Sequence, residues 1–185
     1  MNHNDDLYYL QLIQRLNAQF VASRAKDRSH ESVVHLLTTF NSSIKDTNHQ
    51  FDFVFENQRG MKLLGIPLYS KKSLLPIIDP STYQSLTGKK LHVPFDDLIN
   101  YPLPDFGWQW SWDTWYVLMY DDVDDQGWVY SSLLFNAHVS DGKWKGKYYF
   151  GNFVRRRIWV RMRQSMPEEE AGEVVEPKTS TLILG

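Results

Sequence analysis

The hydrophobic pattern of the first part of the chain predicts helices. From Asp5 to about Ala25, apolar residues recur every three or four positions and form one stripe along a helix. The stripe consists of Leu7, Leu10, Ile13, Leu16 and Phe20. A second helix is predicted from Ser29 or His30 to about Phe40. We therefore expect one or two N-terminal α-helices that pack on the rest of the chain, because a helical stripe is more often core than interface; the alternative is that they offer an apolar groove to a partner.

From Gln50 onward the period of the pattern changes to two, which is typical of half-buried strands. Phe51, Phe53 and Phe55 alternate with other residues in the first of these strands. Repeated prolines make residues 66–107 mostly loop and short strand. Further strands are predicted at Trp108–Tyr120, Trp128–Phe135 and Phe153–Arg163. The pattern therefore predicts a mainly β fold with antiparallel strands.

Composition restricts the class of protein. The chain has 185 residues, of which 42% are hydrophobic and 23% are charged, so it can bury a core and is not a disordered protein. The absence of Cys excludes disulfides, thiolate metal sites and a cysteine nucleophile. The N-terminal residues lack the pattern of a secretory signal, and no apolar run approaches the roughly 20 residues of a membrane span. We therefore expect a soluble protein with peripheral membrane contact at most.

The net charge of −2 conceals a strong segregation of charge. Residues 91–142 contain nine acidic residues and neither Lys nor Arg, whereas residues 143–163 contain eight basic residues and no acid. This asymmetry indicates either an anionic partner for the basic segment or internal pairing between the two segments.

Two predicted strands carry complementary aromatic and basic faces. Trp108, Trp110 and Trp112 share one face of the first strand because strand side chains alternate. One face of the last strand carries Arg155, Arg157, Trp159, Arg161 and Arg163. If these faces meet, guanidinium groups stack on indole rings, each contact contributing about 0.5–2 kcal/mol. We expect most of these arginines to hold the fold; alternatively, some of them face an anionic ligand together with the lysines of residues 143–147.

Several segments resemble the dysferlin (DysF) domain family. These segments are Glu56–Arg59 and Tyr101–Trp110 in the first half of the domain, and Gly127–Tyr130, Trp144 and Phe153–Arg161 in the second half. The resemblance implies a mainly β dysferlin-domain fold, a β-sandwich with long antiparallel strands held by Arg–Trp stacking. Together with the helical pattern before it and the acidic composition after it, the resemblance divides the chain into an N-terminal helical extension at 1–46, a dysferlin domain at 47–165 and an acidic disordered tail at 166–185.

Within this family, the chain is most similar to the branch that acts in yeast sporulation, which has little besides the domain and is needed for prospore membrane extension. Dysferlin-domain peroxins carry transmembrane hairpins and paired Trp where this chain has Gly60 and Met61. The resemblance implies a non-enzymatic adaptor, cytoplasmic and peripheral on the prospore membrane. Its implied partner is a sporulation membrane protein that recruits lipid-transfer machinery. An alternative is a peroxin-related module that regulates peroxisome or ER membrane organisation.

Candidate catalytic and metal-binding patterns are weak. The six His residues are scattered, without the close pair typical of a metal site. Asp122, Asp124 and Gly127 are spaced as at the start of an EF-hand, but the twelfth position is Leu133 instead of Glu, which favours a simple hairpin turn. No Gly-rich phosphate loop is present. We expect neither enzymatic activity nor a cofactor or metal.

The basic segment supplies a candidate lipid-binding site, formed by Lys143, Lys145, Lys147, Arg156, Trp144 and Tyr148. The three lysines alternate and so lie on one side of a strand or ribbon, while Arg156 lies opposite the stacked face. Trp144 or Tyr148 would sit at the headgroup level of a membrane. Resemblance to the dysferlin-domain peroxins suggests phosphatidic acid as the lipid. Alternatively, the lysines balance the negative charge of the aspartates at residues 121–125. A further alternative is that exposed Trp rings bind carbohydrate or nucleic acid, although the near-zero net charge argues against nucleic acid.

Overall fold

The computed structural model describes residues 11–19, 22, 30–44, 48–120, 122–132, 135 and 144–166. In this part of the chain, two α-helices, α1 (residues 11–19) and α2 (His30–Ser43), precede eight β-strands. The predicted mainly β fold with N-terminal helices is thereby confirmed. The predicted start of the first helix and the acidic tail beyond Met166 lie outside the described residues.

The strands are organised around the last of them. They are β1 (His49–Arg59), β2 (Lys62–Leu63), β3 (Ile66–Pro67), β4 (Tyr83–Ser85), β5 (Trp108–Trp110), β6 (Tyr116–Val117), β7 (Val129–Ser131) and β8 (Val154–Ser165). Along one edge, β8 pairs with β1, which in turn pairs with β4. Along the other edge, β8 pairs in succession with β7, β6 and β5. All of these pairs are antiparallel, and β2 and β3 form a separate hairpin.

One face of the sheet is covered by the helices instead of a second sheet, so the predicted β-sandwich is wrong. Side chains that pair directly across β1 and β8 point to the same face, and on this face they are Phe51, Phe53, Phe55, Ile158, Val160 and Met162. Leu12 and Leu16 of α1 and Leu37 and Phe40 of α2 complete this core. Burial of each such side chain contributes about 1.5–3 kcal/mol. The N-terminal helices are therefore part of the hydrophobic core.

The end of α2 is fixed against the start of β1. The helix continues past its predicted end at Phe40 to Ser43, whose hydroxyl donates to the Phe40 carbonyl at 2.8 Å. The Asn41 side chain donates to the Phe51 carbonyl at 3.2 Å and accepts from the Phe51 N–H at 3.1 Å. This pair of hydrogen bonds sets where the helical part of the chain meets the sheet.

The strand predicted at Trp108–Tyr120 is broken into β5 and β6, with residues 111–115 between them. The guanidinium of Arg161 lies at the break. Its Nε donates to the Trp112 carbonyl at 2.9 Å and its Nη2 to the Asp113 carbonyl at 2.8 Å. These two carbonyls bond to a side chain instead of joining the backbone pairing of the sheet, so the prediction of one continuous strand is wrong here.

Candidate functional site

The face of β8 away from the helices carries alternating cations and aromatic rings. We call this set the arginine ladder; it comprises Arg155, Arg157, Trp159, Arg161 and Arg163 of β8 with Tyr69, Trp108, Trp110 and Trp128. Trp128 lies between two guanidiniums, with the Cζ of Arg155 3.9 Å and that of Arg157 4.3 Å from a ring centre. Arg161 lies 4.1 Å over Trp110. Such contacts orient the flat guanidinium against the ring and exclude water from both.

Strand β1 supplies hydrogen-bond acceptors for several ladder residues, among them Arg155, Arg157 and Trp159. The Oε2 of the buried Glu56 accepts from Arg157 Nε and from Trp159 Nε1, each at 2.7 Å. The Oε1 of Gln58 accepts from Arg155 Nε at 3.0 Å and from its Nη2 at 2.7 Å. Burial lowers the pKa of Arg155 from its ordinary value, since it disfavours the charged form. The ladder arginines are thus held by rings and acceptors of the fold itself.

A carboxyl group is buried at the far end of the ladder. The Oδ1 of Asp52 is 3.2 Å from Arg163 Nη1, while its Oδ2 is buried without a hydrogen-bond partner among the described residues. Burial raises the pKa of Asp52 to about 6, against the opposing effect of the Arg163 charge. The last rung of the ladder therefore contains a carboxyl group that becomes protonated in weak acid.

Trp112 was expected in the ladder and lies on the opposite side of the sheet. Its ring centre is 5.5 Å from that of Phe51 and 5.4 Å from that of Tyr116, both in edge-on contacts. It packs against the core that the helices cover. The detour of residues 111–115 around Arg161 interrupts the strand alternation on which the expectation rested.

Two ladder rings, Trp128 and Tyr69, were not predicted. Trp128 lies two positions before Tyr130, which pairs with Arg155, so strand alternation places Trp128 on the ladder face only once that pairing is known. Tyr69 lies between β3 and the turn that follows, where the sequence has no periodicity, and its ring is 4.6 Å from Arg155 Cζ. No local pattern indicates that contact.

Arg156 is enclosed on the opposite face of β8, which corrects its assignment to the lipid-binding set. Its side chain is buried, with Cζ 4.9 Å from the ring centre of Phe55, 5.0 Å from that of Trp144 and 5.5 Å from that of Phe135. Its Nε donates to Asn57 Oδ1 at 2.8 Å. Burial lowers the pKa of Arg156 to about 10. The rings enclose the Arg156 guanidinium, and the Trp144 ring packs against it. Neither side chain can reach a lipid headgroup unless this part of the protein unfolds.

Two of the three candidate lysines are on the surface. Lys145 and Lys147 are exposed, whereas Lys143 lies outside the described residues. The backbone of Lys145 pairs with Tyr130 in both directions, at 2.8 and 3.0 Å, which attaches this segment beside β7. The Nζ of Lys145 lies 4.9 Å from the ring centre of Tyr149. The arrangement presents both described lysines to solvent.

The turn before β7, described from Asp122 onward, uses the carboxylate of Asp124 for hydrogen bonds within the turn and to Tyr130. Its Oδ1 accepts from the backbone N–H of Gln126 at 2.9 Å and of Trp128 at 2.8 Å. Its Oδ2 accepts from the Tyr130 hydroxyl at 2.6 Å. Asp124 therefore closes a local turn at the start of β7, and no ion pair joins it to Lys145 or Lys147 in the described part of the chain.

Tyr148 serves as an anchor within the protein instead of facing a membrane, which corrects the expectation for this residue. Its hydroxyl accepts from the backbone N–H of Lys62 at 3.3 Å and donates to the Lys62 carbonyl at 3.4 Å. Its ring packs edge-on against Tyr130, with 5.8 Å between ring centres. Tyr148 thus connects the β2–β3 hairpin to the main sheet.

The described residues contain neither a candidate metal site nor a membrane-spanning helix. Among the described ranges, no group of three or more His, Asp or Glu side chains could hold a metal ion. Within those ranges, no helix is both long and apolar enough to cross a membrane.

The fold and site define an antiparallel β domain that is covered by helices on one face and by an arginine ladder on the other. No protein-family model matches the chain, so the dysferlin domain stays a resemblance. The chain is 38% identical over 128 residues to Sporulation-specific protein 73 of Saccharomyces cerevisiae, covering 60% of this chain and 84% of that protein. It is 38% identical over 124 residues to Meiotically up-regulated gene 65 protein of Schizosaccharomyces pombe, covering 64% of this chain and 44% of that protein. The chain belongs to the family of Sporulation-specific protein 73.

The two relatives differ in how much of their length is matched. The alignment spans less than half of the Schizosaccharomyces pombe protein but most of the Saccharomyces cerevisiae one. The alignments cover 64% and 60% of this chain, which is about the length of the described β domain. The names of the two relatives relate them to meiosis and to sporulation.

Proposed function

We propose that this protein is a non-enzymatic, membrane-associated adaptor that acts in sporulation, in the extension of the prospore membrane. The observation that carries the proposal is the 38% identity to a sporulation-specific protein of which 84% is covered. The resemblance to the dysferlin domains of the sporulation branch supports association with a membrane and the role of an adaptor. The partner we propose is a sporulation membrane protein that recruits lipid-transfer machinery.

The use of polar side chains in the sheet supports an adaptor rather than an enzyme. Catalytic groups are usually found in a cleft, where they can contact a substrate. Here the buried polar residues Glu56, Asn57 and Arg156 bond to neighbours of the sheet itself. These bonds account for the residues structurally, without a reaction.

Binding of anionic lipid, with phosphatidic acid as the candidate, is the second part of the proposal. It is supported by the exposure of Lys145 and Lys147, next to Lys143 in the sequence. Each basic residue near an anionic membrane contributes about 1 kcal/mol, and this contribution is screened by salt. Attachment through lysines alone would therefore be weak and reversible.

The proposed role is tested by replacing the relative in cells. In sporulating Saccharomyces cerevisiae that lacks Sporulation-specific protein 73, the full chain carrying a fluorescent tag should localise to the prospore membrane and restore its extension, measured as membrane length by microscopy. A chain with Trp128 replaced by Ala serves as a control for loss of the fold. Stable protein on peroxisomes or the ER instead would favour the peroxin-related alternative, and stable but diffuse protein without rescue would contradict the proposed function.

A further inference from the structure

One end of the main sheet carries two protruding apolar loops. Strand β1 ends at Arg59 opposite Val154, where β8 begins, and the Gly60 N–H donates to the Phe153 carbonyl at 2.9 Å. The chain leaves this point as the β2–β3 hairpin on one side and arrives through residues 148–152 on the other. The exposed side chains of these two loops, which we call the apolar end, are Leu63, Leu64, Ile66, Leu68, Tyr149 and Phe150.

The described part of the protein leaves these side chains open to solvent. Leu64 is 95% exposed and Phe150 is 96% exposed. The other members of the apolar end keep half or more of their surface exposed. Folded domains rarely display apolar side chains in such a concentration unless the patch contacts another molecule.

The backbone of the hairpin tip indicates that Leu64 does not serve the turn. Leu64 has φ 49° and Gly65 has φ 84°, so both central residues of this two-residue turn are left-handed. Asn-Gly or Asp-Gly is preferred at such a turn, because Asn and Asp tolerate this conformation better than Leu. Within the described part of the chain, Leu64 thus gains neither burial nor favourable turn geometry, which leaves contact with another molecule as its physical use.

The two loops are joined at their bases and form one preformed unit. The hydroxyl of Tyr148 bonds to the backbone of Lys62, as described above. The Tyr69 hydroxyl donates to the Asn152 carbonyl at 2.5 Å, and the Tyr149 N–H donates to Asn152 Oδ1 at 2.7 Å. The apolar tips therefore project together from a base that is fixed to the sheet.

Basic residues flank the apolar end, and acidic ones are missing from its sequence. Residues 60–78 and 144–153 contain no Asp or Glu and contain five lysines. Lys72, Lys145 and Lys147 are exposed, whereas Lys71 pairs with Asp96 and the Nζ of Lys62 lies over the rings of Tyr130 and Tyr148. Apolar tips flanked by cations match a membrane surface, where apolar side chains enter the acyl boundary and cations meet lipid phosphates. Two separate projecting loops are suited to a deformable bilayer, whereas a protein partner would need a complementary groove for each.

We propose that the apolar end inserts into an anionic phospholipid bilayer, with Leu64 and Phe150 at the acyl boundary and the exposed Lys145 and Lys147 at the level of the phosphates. This inference rests on the proposed membrane-associated function and identifies the surface that performs it. It differs from attachment by lysines alone in that buried apolar area supplies most of the binding and makes it less sensitive to salt.

Insertion is measured directly with an environment-sensitive dye. Because the chain has no Cys, Leu64→Cys gives a single labelling site at the hairpin tip. Phe106→Cys is the matched control, since Phe106 is 87% exposed and lies just before β5, whose first residue pairs with Ser165 at the opposite end of β8. With vesicles of phosphatidylcholine containing phosphatidic acid, we expect a blue shift and a fluorescence increase for the label at position 64 and none for the label at position 106.

Substitution tests whether the inserted side chains support binding. Leu64→Asp is compatible with the left-handed turn and Phe150→Asp lies at an exposed position, so both variants should fold, which circular dichroism and thermal melting check. Each should lower the vesicle-bound fraction of the full chain roughly tenfold in sedimentation, while Phe106→Asp should bind like the wild type.

The outcomes separate this inference from the proposed function. If the wild type binds vesicles but Leu64→Asp and Phe150→Asp bind equally well, the inference is overturned while membrane association stands. If the wild type binds no vesicles and Leu64→Asp still loses prospore membrane localisation in cells, the apolar end docks on a protein, and insertion into lipid is again overturned. Loss of vesicle binding and of localisation in the same folded variants supports the inference.

Discussion

At the scale of single residues, Trp128 has the strongest structural role in the arginine ladder. It is 2% exposed and its indole ring contacts the guanidiniums of both Arg155 and Arg157. Trp128→Ala should lower the free energy of unfolding by about 3–5 kcal/mol, because it leaves a cavity and removes the ring from two partly buried cations. Chemical denaturation measures this loss.

Trp108 provides the comparison for this prediction. It contacts one guanidinium, that of Arg163, and is only partly buried. Trp108→Ala should therefore cost clearly less stability than Trp128→Ala. Equal losses of unfolding free energy for the two variants would show that the position of Trp128 between two guanidiniums adds no stability.

Titration of the single side chain Asp52 makes the free energy of unfolding depend on pH. Its pKa is raised to about 6 in the folded protein from an ordinary value of 3.8, so the folded state holds its proton more tightly than the unfolded state does. The stabilising contribution of protonated Asp52 is complete below about pH 4 and is lost as the pH rises to about 6. A shift of about two pKa units corresponds to about 3 kcal/mol.

The variant Asp52→Asn isolates this effect. Asn keeps the shape of the side chain but does not titrate. Relative to the variant, the wild type should therefore lose unfolding free energy as the pH rises from 4 to 7. Denaturant unfolding at a series of pH values measures the difference. A difference that is constant with pH would contradict the raised pKa.

At the scale of elements, the segment around Lys145 depends on a close backbone contact. A Cβ on Gly146 would lie 1.5 Å from the Asp122 carbonyl oxygen and 2.8 Å from the Val123 Cα, so these backbone atoms would have to move. Gly146→Ala should displace residues 144–148 from the 122–123 loop and lower the melting temperature by several degrees.

Gly88→Ala is a suitable control for this substitution. Gly88 has φ +80° and no atom within 4 Å of a built Cβ, so Ala there introduces backbone strain without a clash. It should cost only about 1–2 kcal/mol. If Gly146→Ala lowered the stability no more than Gly88→Ala, the close approach of Gly146 to the Asp122 carbonyl would not matter for stability.

At the scale of the whole molecule, the described structure leaves little of β8 open for binding. The helices cover one face, the ladder rings cover the other, and both of its edges are paired with strands. The basic side chains that are most conspicuous in the sequence are thus used inside the protein. Contacts with a membrane or a partner fall to the loops at the ends of the sheet, which is where the apolar end and the exposed lysines lie.

Side-chain alternation by itself determined the faces of the two long strands. The aromatic face of β1 and the basic face of β8 follow from positions within single strands, and the stripes of α1 and α2 follow from helical spacing in the same way. Even Arg156 carried a local signal, since it shares a strand face with Val154 and Ile158 and both of these are buried. These features could be predicted because they depend only on neighbours in the chain.

Only the tertiary structure decided which surface covers each face. Phe135 and Trp144 enclose Arg156, and Trp128 enters the ladder, through contacts between segments far apart in the chain. Leu64 belongs to a short apolar run typical of a core, yet it is exposed because no other described segment packs over the hairpin tip. The local pattern sets which side chains share a face, whereas burial or exposure of that face depends on the distant segments that fold against it.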